Sequence, residues 1–125
     1  MKLIIAVVQP EELPDIKEEL LKRKIYKFTV SSAKGQGREI PVQEVYRGIS
    51  HEISLLTKIR LEIAVNDDYV NHAVEAITVV AKKPDNKGRG KIFVLPIEQC
   101  IRIRTDERGP DAIGLLVLIS LNGRN

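Results

Sequence analysis

Gly88-Arg89-Gly90-Lys91 is the plainest chemical signal in the chain. Glycines let backbone N–H groups turn towards a phosphate oxygen, and Lys91 would add a point charge. The spacing is not that of a Walker loop, and the run leads into a strand rather than a helix. Taken alone it equally describes a solvated turn, the commoner use of such glycines. Arg102 and Arg104 strengthen the signal. In an extended segment their side chains share one face, roughly 7 Å apart, with Ile101 and Ile103 on the other. Two guanidiniums at that spacing suit successive phosphates. The alternative is an exposed basic strand edge that discourages aggregation. Lys34-Gly35-Gln36-Gly37-Arg38-Glu39 repeats the pattern of glycines beside a cation and a carboxylate, or else closes a flexible hairpin.

Other chemistries lack their parts. His51 and His72 have no second histidine at metal spacing, and no Ser-His-Asp or Cys-His set is suggested, so no catalytic residue is assigned. Cys100 is the single cysteine, which excludes an intramolecular disulfide and a cysteine zinc site. Its apolar neighbourhood predicts an inert, packed thiol. Net charge is +3, from 20 basic and 17 acidic residues, too mild to imply nucleic acid. Five aromatic residues are a thin supply for base stacking. No stretch nears the roughly 20 apolar residues of a membrane span, and Met1-Lys2 enters an apolar run with no cleavage site after it. A cytoplasmic protein without membrane insertion is expected.

These residues must be held by a scaffold, and 125 residues with 43% hydrophobic and 30% charged positions describe one folded domain. Leu3 to Val8 is continuously apolar, which predicts a central strand covered on both faces. Pro10 suits a first helical turn, and Glu11 and Glu12 suit the helix dipole there. Leu13, Ile16 and Leu20 then recur at helical spacing to about Arg23. Tyr26, Phe28 and Val30 alternate with polar residues and predict a half-buried strand. Ile59, Leu61, Ile63 and Val65 give the cleanest alternation. Asn66 or Asp67 can cap a second helix with the stripe Val70, Ala73, Val74, Ile77, Val80 and Ala81. Ile92 to Leu95 is a fourth strand, stopped by Pro96. The order β-α-β-β-α-β predicts a ferredoxin-like α+β sandwich. Gly35 to about Leu55 interrupts it with no sustained apolar period, and a loop of that length is usually functional. The apolar tail from Gly114 to Leu121 asks for cover, and another subunit can supply it.

Tyr46-Arg47-Gly48, preceded by Lys34-Gly35-x-Gly37-Arg38 and followed by Lys58 and Glu62, resembles the PII nitrogen-regulatory signalling proteins. Gly88 to Val94 and Ile101-Arg102-Ile103-Arg104-Thr105 resemble them too. The motifs stand in the family's order over nine-tenths of the chain. The resemblance implies a homotrimer with ATP or ADP in clefts between subunits. It implies that residues 36–55 form a mobile loop that engages target proteins, with Tyr46, Arg47, Gly48, Ser50 and His51 on it. Carried over by position, Thr29 and the Ala64 backbone would hold the adenine. Gly37, Arg38, Gly88, Arg89, Gly90 and Lys91, within a phosphate loop at about 83–91, would cradle phosphates with Arg102 and Arg104. Family partners are ammonium channels and nitrogen-metabolism enzymes, and a sensor retuned to another effector and a different transporter is the alternative.

The departures from the family's pattern carry their own expectations. Glu39 stands where a glutamine usually helps hold Mg²⁺ and 2-oxoglutarate. A carboxylate can still ligate Mg²⁺, but it would repel the dicarboxylate and pair with Lys58, the family's carboxylate-binding lysine. Only a weak response to 2-oxoglutarate is therefore expected. His51 replaces the tyrosine that many bacterial members uridylylate. Lys83-Pro84 replaces Thr-Gly in a loop one residue longer than usual, and residues 114–125 are an apolar extension beyond the typical ending. An RNA-binding module shares the element order, but Lys58 to Val65 has no stacking aromatic. A nucleotide hydrolase lacks an evident general base, so at most slow, incidental ATP hydrolysis is expected.

Overall fold

A computed structural model describes residues 1–36, 45–46, 49–50, 55–84 and 90–114. Its elements are β1 (Lys2–Val8), α1 (Leu13–Lys22), β2 (Thr29–Gly35), β3 (Val45–Tyr46), β4 (Ile49–Ser50), β5 (Leu56–Val65), α2 (Val70–Ala81), β6 (Ile92–Pro96) and α3 (Pro110–Ile113). Short 3₁₀ turns, Pro10–Glu12 and Asp67–Tyr69, lead into α1 and α2. The main sheet runs β2-β5-β1-β6, and every neighbouring pair is antiparallel. β3 and β4 pair separately, Val45 with Ser50 and Tyr46 with Ile49. The predicted sandwich is present, with β1 in the middle of its sheet.

Alternation decides what the sheet buries. Ile4, Ala6 and Val8 of β1 and Leu61, Ile63 and Val65 of β5 point into the core, beside Ile16 and Leu20 of α1 and Ala73, Ala76 and Ile77 of α2. Each fully buried isoleucine or leucine contributes about 1.5–3 kcal/mol. The other face of β1 is half-buried at Leu3, Ile5 and Val7 rather than covered. Ala76 joins the buried set although the sequence stripe omits it, whereas Val80 and Ala81 are only half-buried.

The second strand differs from expectation. It starts at Thr29, not Tyr26, and its residues are mostly exposed. The reason lies in how α1 ends. Lys24 takes a left-handed φ of 64°, and the amides of Lys24 and Ile25 donate to the carbonyls of Leu21 and Leu20. This is a Schellman stop, with buried Ile25 as its hydrophobic contact. Tyr26 to Phe28 is the exit from that stop, and Phe28 packs against the core without joining the ladder. At α2 neither expected cap acts through its side chain. The Asn66 amide instead donates to the Pro110 carbonyl, and Asp67 accepts from the Met1 ammonium at 2.8 Å.

Candidate functional site

The candidate residues collect at the two ends of β1. At its carboxyl end, Gly90 and Lys91 line a cavity of about 290 Å³ with Val7, Val8, Ile77, Thr78, Ala81, Lys82 and Ile92. Apolar walls from β1, α2 and β6 thus carry two lysines and a glycine. Gly90 has φ +99°, and a Cβ there would stand 2.5 Å from the Val7 carbonyl oxygen. Only glycine allows the chain to cross β1 this closely and then deliver Lys91 to the cavity mouth.

Lys83 holds the other side of that loop. Its ammonium lies 3.3 Å from the Glu12 carboxylate, which is only 5% exposed and also accepts from the Gln9 amide at 2.9 Å. A carboxylate this buried needs such partners. Glu12, expected only to favour the helix dipole, therefore ties the turn before α1 to the segment that follows α2.

At the amino end of β1 a second cavity, about 530 Å³, is lined by Leu3, Tyr26, Lys27, Phe28, Thr29, Glu62, Ala64, Cys100, Ala112 and Ile113. Thr29 pairs with Glu62 across β2 and β5, and Leu3 pairs with Ala64 across β1 and β5. The register brings Thr29 and Ala64 to the wall of one cavity. Apolar walls with few polar groups suit a flat, partly polar ligand. The Glu62 carboxylate accepts from Arg60 Nε at 3.0 Å and Nη2 at 2.8 Å. Cys100 is half-buried on this wall rather than packed away.

The Arg102–Arg104 expectation is corrected. Ile101 bridges Arg108, and the Arg102 amide donates to the Glu107 carbonyl while the Asp106 amide donates to the Arg102 carbonyl. The segment closes into a turn, with Asp106 at φ 63°, so an extended, same-face pair does not form. Ile103 is 96% exposed, not turned inwards. The Arg102 guanidinium meets Glu107 at 2.7 Å and donates to the Asp111 carbonyl at 2.9 Å. It thereby sits beside Gly114, at the α3 end of the second cavity, whereas Arg104 is exposed.

Leu3 to Val7 spans roughly 13 Å of strand, so Thr29, Ala64 and Arg102 are not gathered with Gly90 and Lys91 in one chain. Gly37, Arg38, Glu39, Arg47, Gly48, His51, Gly88, Arg89 and the tail 115–125 lie outside the described residues. Of Tyr46 and Ser50 only the pairing of β3 and β4 is described. Lys58 is buried in β5. His72 is exposed and tilts its ring 5.5 Å from that of Tyr69. Among the described residues no group of three or more His, Cys, Asp or Glu side chains is placed to hold a metal, and no helix is long and apolar enough to cross a membrane.

Lys27 and Glu62, which line the second cavity, were not singled out as site residues. Glu62 was within reach of sequence reasoning, because it opposes Thr29 once two adjacent antiparallel strands are assigned. Lys27 gave no periodic signal.

A four-stranded antiparallel sheet backed by two helices, with Gly90 set close against the Val7 carbonyl at the end of β1, defines a ferredoxin-like α+β domain. The family model for nitrogen regulatory protein P-II matches residues 1–107. The chain is 48% identical over 114 residues to nitrogen regulatory protein GlnK1 of Methanosarcina mazei, covering 90% of this chain and 97% of that one. Against nitrogen regulatory protein P-II of Cereibacter sphaeroides it is 43% identical over 113 residues, covering 90% and 100%. Nitrogen regulatory protein P-II 2 of Methanothermobacter thermautotrophicus is 40% identical over 113 residues, covering 90% and 97%. This chain belongs to the P-II family of nitrogen regulatory proteins.

Proposed function

We propose that this protein signals nitrogen or energy status by binding ATP or ADP in clefts between the subunits of a homotrimer. The loop at 36–55 would carry that state to target proteins. One observation carries the reading. Thr29 and Ala64 line a cavity at one end of β1, with Arg102 beside it, and Gly90 and Lys91 line a cavity at the other. Two copies placed head to tail would face one set with the other, an adenine-sized apolar wall opposite a phosphate-sized glycine loop. The donor set fits the ligand, since phosphates ask for backbone N–H groups and cations. Arg38, Arg89 and Arg104 would complete the cradle.

Glu39 places a negative group where 2-oxoglutarate would bring two more. Two like charges about 4 Å apart repel by roughly 1 kcal/mol in water and several-fold more in a cleft. Mg²⁺ held partly by Glu39 would offset some of this. Targets would be an ammonium channel, a nitrogen-metabolism enzyme or another transporter.

Calorimetry on the intact protein tests this reading. ATP and ADP should bind, and Lys91→Ala or Arg102→Ala should each weaken binding about ten- to a hundredfold. Unchanged affinity in both variants would overturn the assignment of these side chains. In the presence of Mg·ATP, 2-oxoglutarate should bind weakly and gain affinity in Glu39→Gln. Micromolar binding by the native protein would remove the proposed role of Glu39.

A further inference from the structure

Gly114 is buried in a left-handed conformation with φ +98°, and two cations close on it. A Cβ at that position would lie 3.0 Å from Lys27 Nζ and 3.2 Å from Arg102 Nη2. The two nitrogens are therefore separated by no more than the sum of those distances. Like charges this close repel unless an anion lies between them. Arg102 is partly compensated by Glu107. Lys27 is exposed at its own position and lines the cavity that also holds Thr29 and Ala64. The carboxylate of that cavity, Glu62, accepts from Arg60 Nε and Nη2 at its Oε2. One wall of the pocket is thus apolar, its acid is paired with Arg60 outside the lining, and Lys27 and Arg102 bring two cations together at the α3 end.

We infer that Lys27 and Arg102 form a two-cation subsite that holds one phosphate of the nucleotide, making Lys27 a further specificity-determining residue. The inference rests on the nucleotide reading above and adds a residue to it. The chemistry follows from the two groups. Arg102 Nη1 is held by Glu107 and Nη2 by the Asp111 carbonyl, so its remaining N–H groups are what it offers a phosphate oxygen, and the ammonium beside it can take a second as a point charge. Lys27 leaves the chain at the exit from the Ile25 stop, just before β2 begins, so the backbone on either side of it is held by buried Ile25 and by the Thr29–Glu62 pairing.

The expected selectivity is for ligands with a phosphate chain over the bare nucleoside. The test is calorimetric titration of ATP and adenosine into the native protein, Lys27→Met and Lys27→Arg. ATP affinity should fall about tenfold in Lys27→Met and recover largely in Lys27→Arg. Adenosine affinity should fall by much less than ATP affinity in both variants. The ATP loss should shrink as salt rises, because the interaction is between charges. If native protein binds ATP and Lys27→Met binds it equally, the subsite is wrong and the nucleotide reading stands. Equal losses for ATP and adenosine would also overturn it, since they would report damage to the apolar wall. Native protein that takes up no ATP would bring down the nucleotide reading itself, and the subsite with it.

Discussion

Gly90 passes so close to the end of β1 that the Val7 carbonyl leaves no room for a side chain on it. A Cβ there would come within 2.5 Å of that oxygen, at a φ of +99°. Backbone meets backbone, so no side-chain rearrangement relieves the overlap. Gly90→Ala should therefore cost about 1–3 kcal/mol from the conformation alone, with more from the overlap. Urea unfolding should show the loss, and calorimetry should show a parallel weakening of ATP binding. A variant as stable as the native protein would refute the close crossing.

Glu12 and Lys83 should behave as a pair. Removing the lysine leaves a nearly buried carboxylate with the Gln9 amide as its remaining donor, which is costlier than removing the acid. Lys83→Met should destabilise by about 1–2 kcal/mol, and the double variant Lys83→Met with Glu12→Gln should regain part of it. Urea midpoints of the four proteins complete the cycle. Additive losses would show that the two residues act independently.

The carboxyl of Asp67 is held below its ordinary range, first by the hydrogen bond from the Met1 ammonium, then by the attraction of that ammonium and of Lys2. A lowered folded value means that the native state keeps the charged form longer than the unfolded chain does. The contribution is present above roughly pH 4 and fades as pH falls through the folded value. Asp67→Asn should be less stable than the native protein at neutral pH, and the gap should close in acid. Because Asp67 is exposed the gap should be small. A gap that widened below pH 4 would contradict the assigned partner.

β6 is an edge strand with Phe93 52% exposed and Val94 and Leu95 also open. An apolar edge of this kind invites pairing with another chain. Phe93→Lys should keep the fold, since the residue lies outside the core, and should weaken self-association. Light scattering of the native protein should report a trimer, with dissociation of the variant at micromolar concentration. A monomeric native protein would defeat the intersubunit site.

Much of this arrangement was legible in the sequence where a repeating pattern exists. The alternation from Ile59 to Val65 and the stripe from Val70 to Ile77 needed no knowledge of neighbours, because burial and periodicity agree. The glycine loop was legible as chemistry, though not as a crossing over Val7, since close approach leaves no mark beyond the glycine itself. Tyr26 to Val30 misled because alternation in a connector resembles alternation in a strand. The Schellman stop at Lys24 needs a left-handed lysine, which composition does not announce. Arg102 and Arg104 misled for a related reason. Two residues apart means one face only if the chain is extended, and the bond from the Asp106 amide to the Arg102 carbonyl folds it back. The ion pair of Lys83 with Glu12 was not legible because its two residues lie far apart in the chain.

The separation of the two cavities along β1 has a consequence for counting. If each complete site takes one half from each of two neighbours, an isolated chain has none, and an open row of copies always has one fewer than its members. Only a closed ring matches sites to subunits. Nucleotide would then favour closure by mass action, and dilution of subunits would lower apparent nucleotide affinity without any change in the residues that touch it.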